Sequence, residues 1–191
     1  MPLKLAIIIG SVRPGRVGPS VASWVAEVAR EHGDFDVTLV DLLDIDLPLL
    51  DEPHHPSKQQ YQHEHTKRWA ALVEAADAFI FVTPEYDYFA PASLVNAVQY
   101  LAHEWHYKPA GIVSYGGVSG GLRSTQTLRL LLSNVDVHTV WQTVSIQFVG
   151  RQVADGVLTP PDHALGATTH MLGELHKWAN ALAPLHTKPA K

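Results

Sequence analysis

The chain of 191 residues contains no cysteine, which excludes disulfide frameworks, thiolate metal sites and dithiol redox chemistry together. Any electron transfer it performs must then be carried by a bound cofactor. Long apolar runs are also lacking. The N-terminal run Leu5–Ile9 is far shorter than a membrane span and leads into Gly10 without a small-residue cleavage pattern, so no membrane segment and no export signal are expected and the expected location is the cytoplasm. Positive charge is not in excess: 14 Lys and Arg stand against 19 Asp and Glu, a formal net charge of -5. Acids and bases are interspersed, with no basic stripe to neutralise a phosphate backbone, and nucleic acid is not an expected partner. No repeat of fixed period and no low-complexity tract precedes the C-terminus.

With 46% hydrophobic and 17% charged residues, the chain can bury one sizeable core, and the expectation is a single domain over residues 1–185 with a flexible tail at 186–191. Leu3–Ile9 is a continuous, β-branched apolar run of the kind that forms a strand buried on both faces. Val21, Val25 and Val28 beside Trp24 then recur at helical spacing until His32-Gly33 supplies a stop. Phe35–Val40 reads as a second strand. Residues 41–58 hold five acids and three prolines, a length without regular pattern that is usually functional or interfacial. Helical pattern resumes over Tyr61–Ala76, and Ala78–Val82 is a third strand ending at Thr83-Pro84. Pro91 fits the first turn of a helix running through Leu94, Val98 and Leu101. Ala110–Val113 is a fourth strand, Leu122–Leu132 a helix and His138–Val144 a fifth strand. A closing helix spans Asp162–Leu182, with Asp162 as its candidate N-cap. Strands alternating with helices imply right-handed crossovers and a doubly wound α/β fold with helices on both faces of a parallel sheet. Ligands of such sheets sit outside the carboxyl ends of the strands, which directs attention to the segments after strands one, three and four.

The first segment, Gly10 to Ser20, carries Ser11, Arg13 and Arg16 into a helix N-terminus. Free N–H groups, a positive dipole end, a hydroxyl and two guanidinium forks suit an anion. It misses the nucleotide P-loop because Arg16 and Val17 replace the required Lys and Ser/Thr, and it misses the dinucleotide fingerprint because Val12 stands where the second glycine would be. A monophosphate ester fits better. Its competing reading is a surface turn with solvated arginines, the lesser of the two even for this segment alone. The second segment, Thr83 to Pro91, sets Tyr86, Tyr88 and Phe89 between two prolines, a rigid apolar frame for a planar heterocycle. The alternative is an ordinary turn whose aromatics, Tyr88 and Phe89 above all, finish the core. The third segment, Ser114 to Gly121, holds four glycines, whose bare backbone lets a ligand approach and leaves N–H donors for negative charge. Simple turn chemistry is its competing reading.

Gly-Ser-Val-Arg-Pro-Gly-Arg at 10–16, Thr-Pro-Glu-Tyr at 83–86, Leu-Val-Asn-Ala at 94–97 and Ser-Tyr-Gly-Gly at 114–117 together resemble the signatures of the NADPH-dependent FMN reductase family, which includes flavodoxin-like quinone, chromate and azo-dye reductases. Asp46 to Pro53 and Glu64 to Trp69 are similar to it as well, so the likeness spans residues 3 to about 133. The resemblance implies a flavodoxin-like, five-stranded parallel sheet in the order 2-1-3-4-5. It implies that Ser11, Arg13, Arg16 and the backbone of Val17 and Gly18 hold the FMN phosphate. Pro84, Glu85, Tyr86 and Asp87 would contact the isoalloxazine, and Ser114, Tyr115, Gly116 and Gly117 would enclose its other edge. Asn96 resembles a brace for the second segment rather than a catalytic group. The family commonly has Asn where Asp87 stands, which exchanges an amide for a carboxylate, and Lys where Val95 stands, which removes a charge suited to subunit contacts.

The implied activity is hydride transfer from NADPH or NADH to FMN and onward to a small acceptor, in a two-stroke cycle with no side chain as general acid or base. Similar proteins are dimers or larger, so a homodimer or homotetramer is implied, with residues 41–58 covering a partner's flavin edge. A flavodoxin-like electron carrier and a binding or regulatory module remain as other classes. Two arginines in the phosphate segment weigh against the carrier, since flavodoxins typically use hydroxyl-rich, uncharged loops there. The chain has 12 histidines, but His54-His55, His63/His65 and His103/His106 lack metal-ligand spacing and are expected to be solvated.

Overall fold

Strands that are apolar on every residue need cover on both faces, and the chain supplies it by alternating strand with helix. In the computed structural model, which describes residues 2–186, β1 (Leu3–Ile9) is followed by α1 (Gly18–His32), β2 (Phe35–Asp41) and the short α2 (Leu42–Ile45). Next come α3 (Glu64–Ala75), β3 (Ala78–Pro84), α4 (Ala92–Gln99), β4 (Pro109–Tyr115), α5 (Leu122–Ser133) and β5 (His138–Ile146). A two-residue hairpin, β6 (Val153–Ala154) with β7 (Val157–Leu158), precedes the closing α6 (Asp162–Leu182). The five long strands pair in parallel in the order β2-β1-β3-β4-β5, the flavodoxin-like order that the resemblance implies.

Every residue of β3 and β4 is buried, as in a central strand. The side chains alternate between two cores. Ile7, Ile80 and Val113 pack under α1 and α6, while Ala6, Ile8, Phe79, Phe81 and Ile112 pack under α3, α4 and α5. Trp105 is fully buried in the second core against Phe79, Phe81 and Trp69, and its indole N–H donates to the Val98 carbonyl at 3.1 Å.

Several boundaries differ from the sequence expectation for physical reasons. α3 starts at Glu64, not Tyr61, because the Glu52 carboxylate accepts from the amides of Gln62 and His63 and the Tyr61 hydroxyl is drawn away to Glu104. Pro91 stands one residue before α4 and offers its carbonyl to the amides of Leu94 and Val95. Asp162 is the first residue of α6 and not its cap; Pro161 holds that position, and Asp162 instead places negative charge against the positive helix end. The β6/β7 hairpin was not foreseen, although its Asp155-Gly156 turn, with φ of 49° and 78°, is a standard hairpin signal. Of the flexible tail expected at 186–191, residues 187–191 lie outside the described residues, while His186 is held by a ring contact of 3.0 Å to the His106 carbonyl. No helix among the described residues is long and apolar enough to cross a membrane.

Candidate cofactor site

Three chain segments leave the carboxyl ends of β1, β3 and β4, the central strands of the sheet. The first enters α1 at Gly18 with Pro19 in the first turn and no side-chain cap. The amides of Val17, Gly18 and Ser20 donate to no acceptor among the described residues, so the positive end of α1 is open to an anion. Ser11 is buried and its hydroxyl lies 2.7 Å from that of Tyr86. Arg13 is exposed, with its guanidinium 5.6 Å from the centre of the Tyr86 ring. Arg16 is placed differently. Its two terminal nitrogens form a fork with the Asp41 carboxylate at 2.6 Å each, and one also reaches the Ser11 carbonyl at 2.6 Å. That hydrogen bond to Asp41 raises the Arg16 pKa above its usual value against the opposing effect of burial. Asp41 also caps α2 by accepting from the Leu43 amide.

The second segment folds back on itself. Tyr86 and Phe89 exchange backbone hydrogen bonds of 3.0 Å around Asp87 and Tyr88, whose φ values are 47° and 76°. Both are left-handed, as a type I′ turn demands; Asp tolerates this region and Tyr does so only under strain. Tyr88 and Phe89 are 59% and 60% exposed, which overturns the reading that they finish the core. The strained Tyr88 is covered from one side by the Arg123 guanidinium, 4.1 Å from its ring centre. Glu85 turns to the third segment and α5, accepting from Ser119 Oγ at 2.9 Å and the Arg123 amide at 3.1 Å and pairing with the Arg123 side chain. Burial alone would raise its carboxyl pKa, but the bonds from Arg123 and Ser119 bring it below the usual range. Pro84 closes β3 and is buried.

The third segment presents backbone. The carbonyls of Gly116 and Gly117 accept from the amides of Val149 and Phe148, and that of Val118 accepts from Gln147 Nε2 at 2.9 Å. The amides of Gly117, Val118 and Ser119 donate to no protein acceptor. Gly117 has open space where a side chain would start. Gly121 closes the turn at φ 83°, where a Cβ would stand 2.8 Å from Ser114 Cβ and 2.9 Å from the Tyr115 amide. The Ser114 hydroxyl is turned inward onto the Gly120 carbonyl at 2.8 Å. The Tyr115 side chain is buried and leads toward α1, where a Cβ on Gly18 would stand 2.8 Å from its hydroxyl. That hydroxyl has no partner. Burial, then the Tyr86 phenol, push its pKa well up, with the charges of Arg16 and Arg13 opposing.

Asp41, Ser93, Ser119 and Arg123 were missed in the sequence. Ser93 Oγ donates to the Gly10 carbonyl at 2.6 Å and so ties α4 to the first segment. Asn96, expected to brace the second segment, holds residues 48–50 instead, donating to the Pro48 carbonyl and accepting from the Leu50 amide. His103 and His106, set on a 3-10 turn that eclipses residues three apart, lie with ring centres 4.7 Å apart, and His103 contacts the Ser57 carbonyl at 3.0 Å. They are therefore held, not merely solvated. His65 and His63 likewise lean on the Asp51 carboxylate.

An anion fits the first corner by its open helix end, free amides, exposed Arg13 and unpartnered phenol. A flat ring fits the other rim, which offers exposed aromatics on the second segment and a run of free amides on the third. The family described as NADPH-dependent FMN reductase matches residues 3–150 of the chain. An NAD(P)H-dependent FMN reductase of Schizosaccharomyces pombe is 39% identical over 176 residues, covering 91% of this chain and 86% of that protein. An NADPH azoreductase of a Bacillus species is 29% identical over 158 residues, covering 82% of each. Among solved structures, the flavoenzyme FerB, an NAD(P)H:(acceptor) oxidoreductase from Paracoccus denitrificans, superposes with a TM-score of 0.73 at 21% identity, covering 94% of this chain and 98% of that one.

Proposed function

Because the chain belongs to the NADPH-dependent FMN reductase family, we propose that it binds FMN at the carboxyl ends of β1, β3 and β4 and reduces it with NADPH or NADH, for delivery of electrons to a small acceptor such as a quinone, an azo compound or a free flavin. The observation that carries this reading is the pairing of an anion-ready corner with a ring-ready rim at the same end of one sheet. Ser11, Arg13 and the amides of Val17 and Gly18 hold the phosphate. Arg16, locked to Asp41, fixes the shape of that loop and adds positive charge. Pro84, Glu85, Tyr86 and Asp87 frame the ring, with Glu85 acting through its grip on Ser119 and Arg123. Ser114, Tyr115, Gly116 and Gly117 close the opposite edge through backbone, and the free amides there stabilise negative charge on the reduced ring. Bound FMN supplies the two-electron chemistry; the chain orients it and keeps one face open to a second planar molecule beside the exposed Tyr88, Phe89 and Val118.

The protein works in the cytoplasm as a homodimer or homotetramer. Supporting an assembly, Leu43, Leu49 and Leu50 are 50%, 81% and 42% exposed along residues 43–50, and Asn96 and Tyr100 hold residues 48–50 by hydrogen bonds. Anaerobic mixing of the FMN-loaded protein with NADPH tests the activity. Bleaching of the visible flavin band by NADPH alone is expected. A loaded protein that neither NADPH nor NADH bleaches is an electron carrier, and a protein that takes up no FMN is neither.

A further inference from the structure

Tyr115 leaves one buried group unexplained. The residue is 4% exposed, and its hydroxyl is closed to solvent and has no hydrogen-bond partner among the described residues. Buried hydroxyls in native proteins almost always have a partner, and an exception calls for a functional explanation. Phenylalanine would fill the same space without that penalty.

The residue above it points the same way. Gly18 opens α1 without a positive φ, so backbone conformation does not require glycine there. What a Cβ would meet is the Tyr115 hydroxyl at 2.8 Å and Ile9 Cγ2 at 3.1 Å. The missing side chain therefore makes room for the phenol directly beneath the open end of the helix. Arg13 and Arg16 are near enough for their charges to act on it. Ser11 and Tyr86 hold their hydroxyls against each other at 2.7 Å, and an anion entering this corner offers an acceptor to both.

We propose that the Tyr115 hydroxyl donates a hydrogen bond to the phosphate of FMN from beneath the first turn of α1, and so distinguishes phosphorylated from unphosphorylated flavin. The proposal rests on the FMN reading above. It moves Tyr115 from the ring edge, where only its backbone lies, to the phosphate end of the ligand. Because the hydroxyl is closed to solvent before the anion arrives, the contact forms as the first turn of α1 shifts to seat the phosphate, with Arg13 on the other side.

The test uses the apoprotein and titrates FMN and riboflavin separately, following quenching of flavin fluorescence, for wild type and Tyr115→Phe. The expected result is a loss in FMN affinity of about 10-fold with riboflavin affinity unchanged, because the deleted bond is to a charged acceptor. The melting temperature of the apoprotein should hold or rise, since an unpartnered hydroxyl has been removed. Gly18→Ala, which crowds the hydroxyl without deleting it, should give the same selective loss and serves if Tyr115→Phe does not fold. Equal weakening of FMN and riboflavin, or no weakening of either, overturns the role for Tyr115 while FMN binding stands. A wild type that binds neither flavin overturns the FMN reading itself, and the phosphate contact with it.

Discussion

At the amino ends of the strands, the buried Glu104 carboxylate accepts hydrogen bonds from the Tyr61 hydroxyl, Gln59 Nε2 and the Ala102 amide, and the buried Lys108 ammonium donates to the carbonyls of Val73 and Glu74. At the carboxyl ends, the Tyr115 hydroxyl and the amides of Val17, Gly18, Ser20, Gly117, Val118 and Ser119 have no partner among the described residues. Both ends are built from the same crossovers, so the fold does not impose the difference. The polar groups named at the amino ends are satisfied within the chain; those held in place and left unpaired at the carboxyl ends serve a ligand. Backbone strain, by contrast, is shared between the two ends, with Tyr88 at φ 76° on the ligand side and Tyr107 at φ 59° just before β4.

This contrast breaks if variants at the two ends have exchanged effects. The largest expected effect is at Glu104. Glu104→Ala strands three donors in a buried site, so the apoprotein should lose about 3 kcal/mol in urea unfolding while the FMN dissociation constant stays unchanged. Lys108 comes next. Burial holds its pKa at about 8 against an ordinary 10.5, with Glu74, Asp77 and Glu104 opposing. Below pH 8 the ammonium is charged in both states and its burial counts against the fold. As the pH rises from about 8 towards 10.5 the folded chain has released the proton and the unfolded chain has not, so stability should climb, by at most about 3 kcal/mol. Urea midpoints across that interval check the slope, and Lys108→Met should flatten it.

At the other end, Arg13→Ala should weaken FMN by about 2 kcal/mol, roughly 30-fold, with riboflavin binding and urea stability unchanged. Fluorescence titration decides it, and a loss shared equally by riboflavin would take Arg13 out of the phosphate corner. The smallest effect belongs to Glu85→Gln. Because the bonds from Arg123 and Ser119 depress the Glu85 pKa, its contribution is present above the ordinary carboxylate range and is lost as pH falls through the lowered value. The variant should cost about 1 kcal/mol or less at neutral pH and show a shallower loss of stability in acid than wild type, read from urea unfolding at about pH 3 to 7.

The five strands were legible because β1, β3 and β4 are buried on both faces and read as unbroken apolar runs. The three ligand-side segments were legible because glycine, proline and arginine mark them chemically. What the sequence hid is the direction in which side chains turn. Arg16 looks free in the chain, yet it closes on Asp41, 25 residues away. Ser114 and Tyr115 sit in a ligand-facing motif, yet one turns onto Gly120 and the other under Gly18. Such pairings are set by tertiary packing, and no local pattern encodes them. Arg123 did leave a signal: a cation in the first turn of a helix opposes the dipole and so calls for a partner, which Glu85 supplies.

The most direct measurement is a crystal structure of the protein grown with excess FMN. The phosphate should lie at the first turn of α1, within hydrogen-bond reach of the Gly18 amide, Arg13 and the Tyr115 hydroxyl, with the ring against residues 84–87 and 116–119. A flavin bound elsewhere, or a vacant α1 corner under saturating FMN, would contradict it.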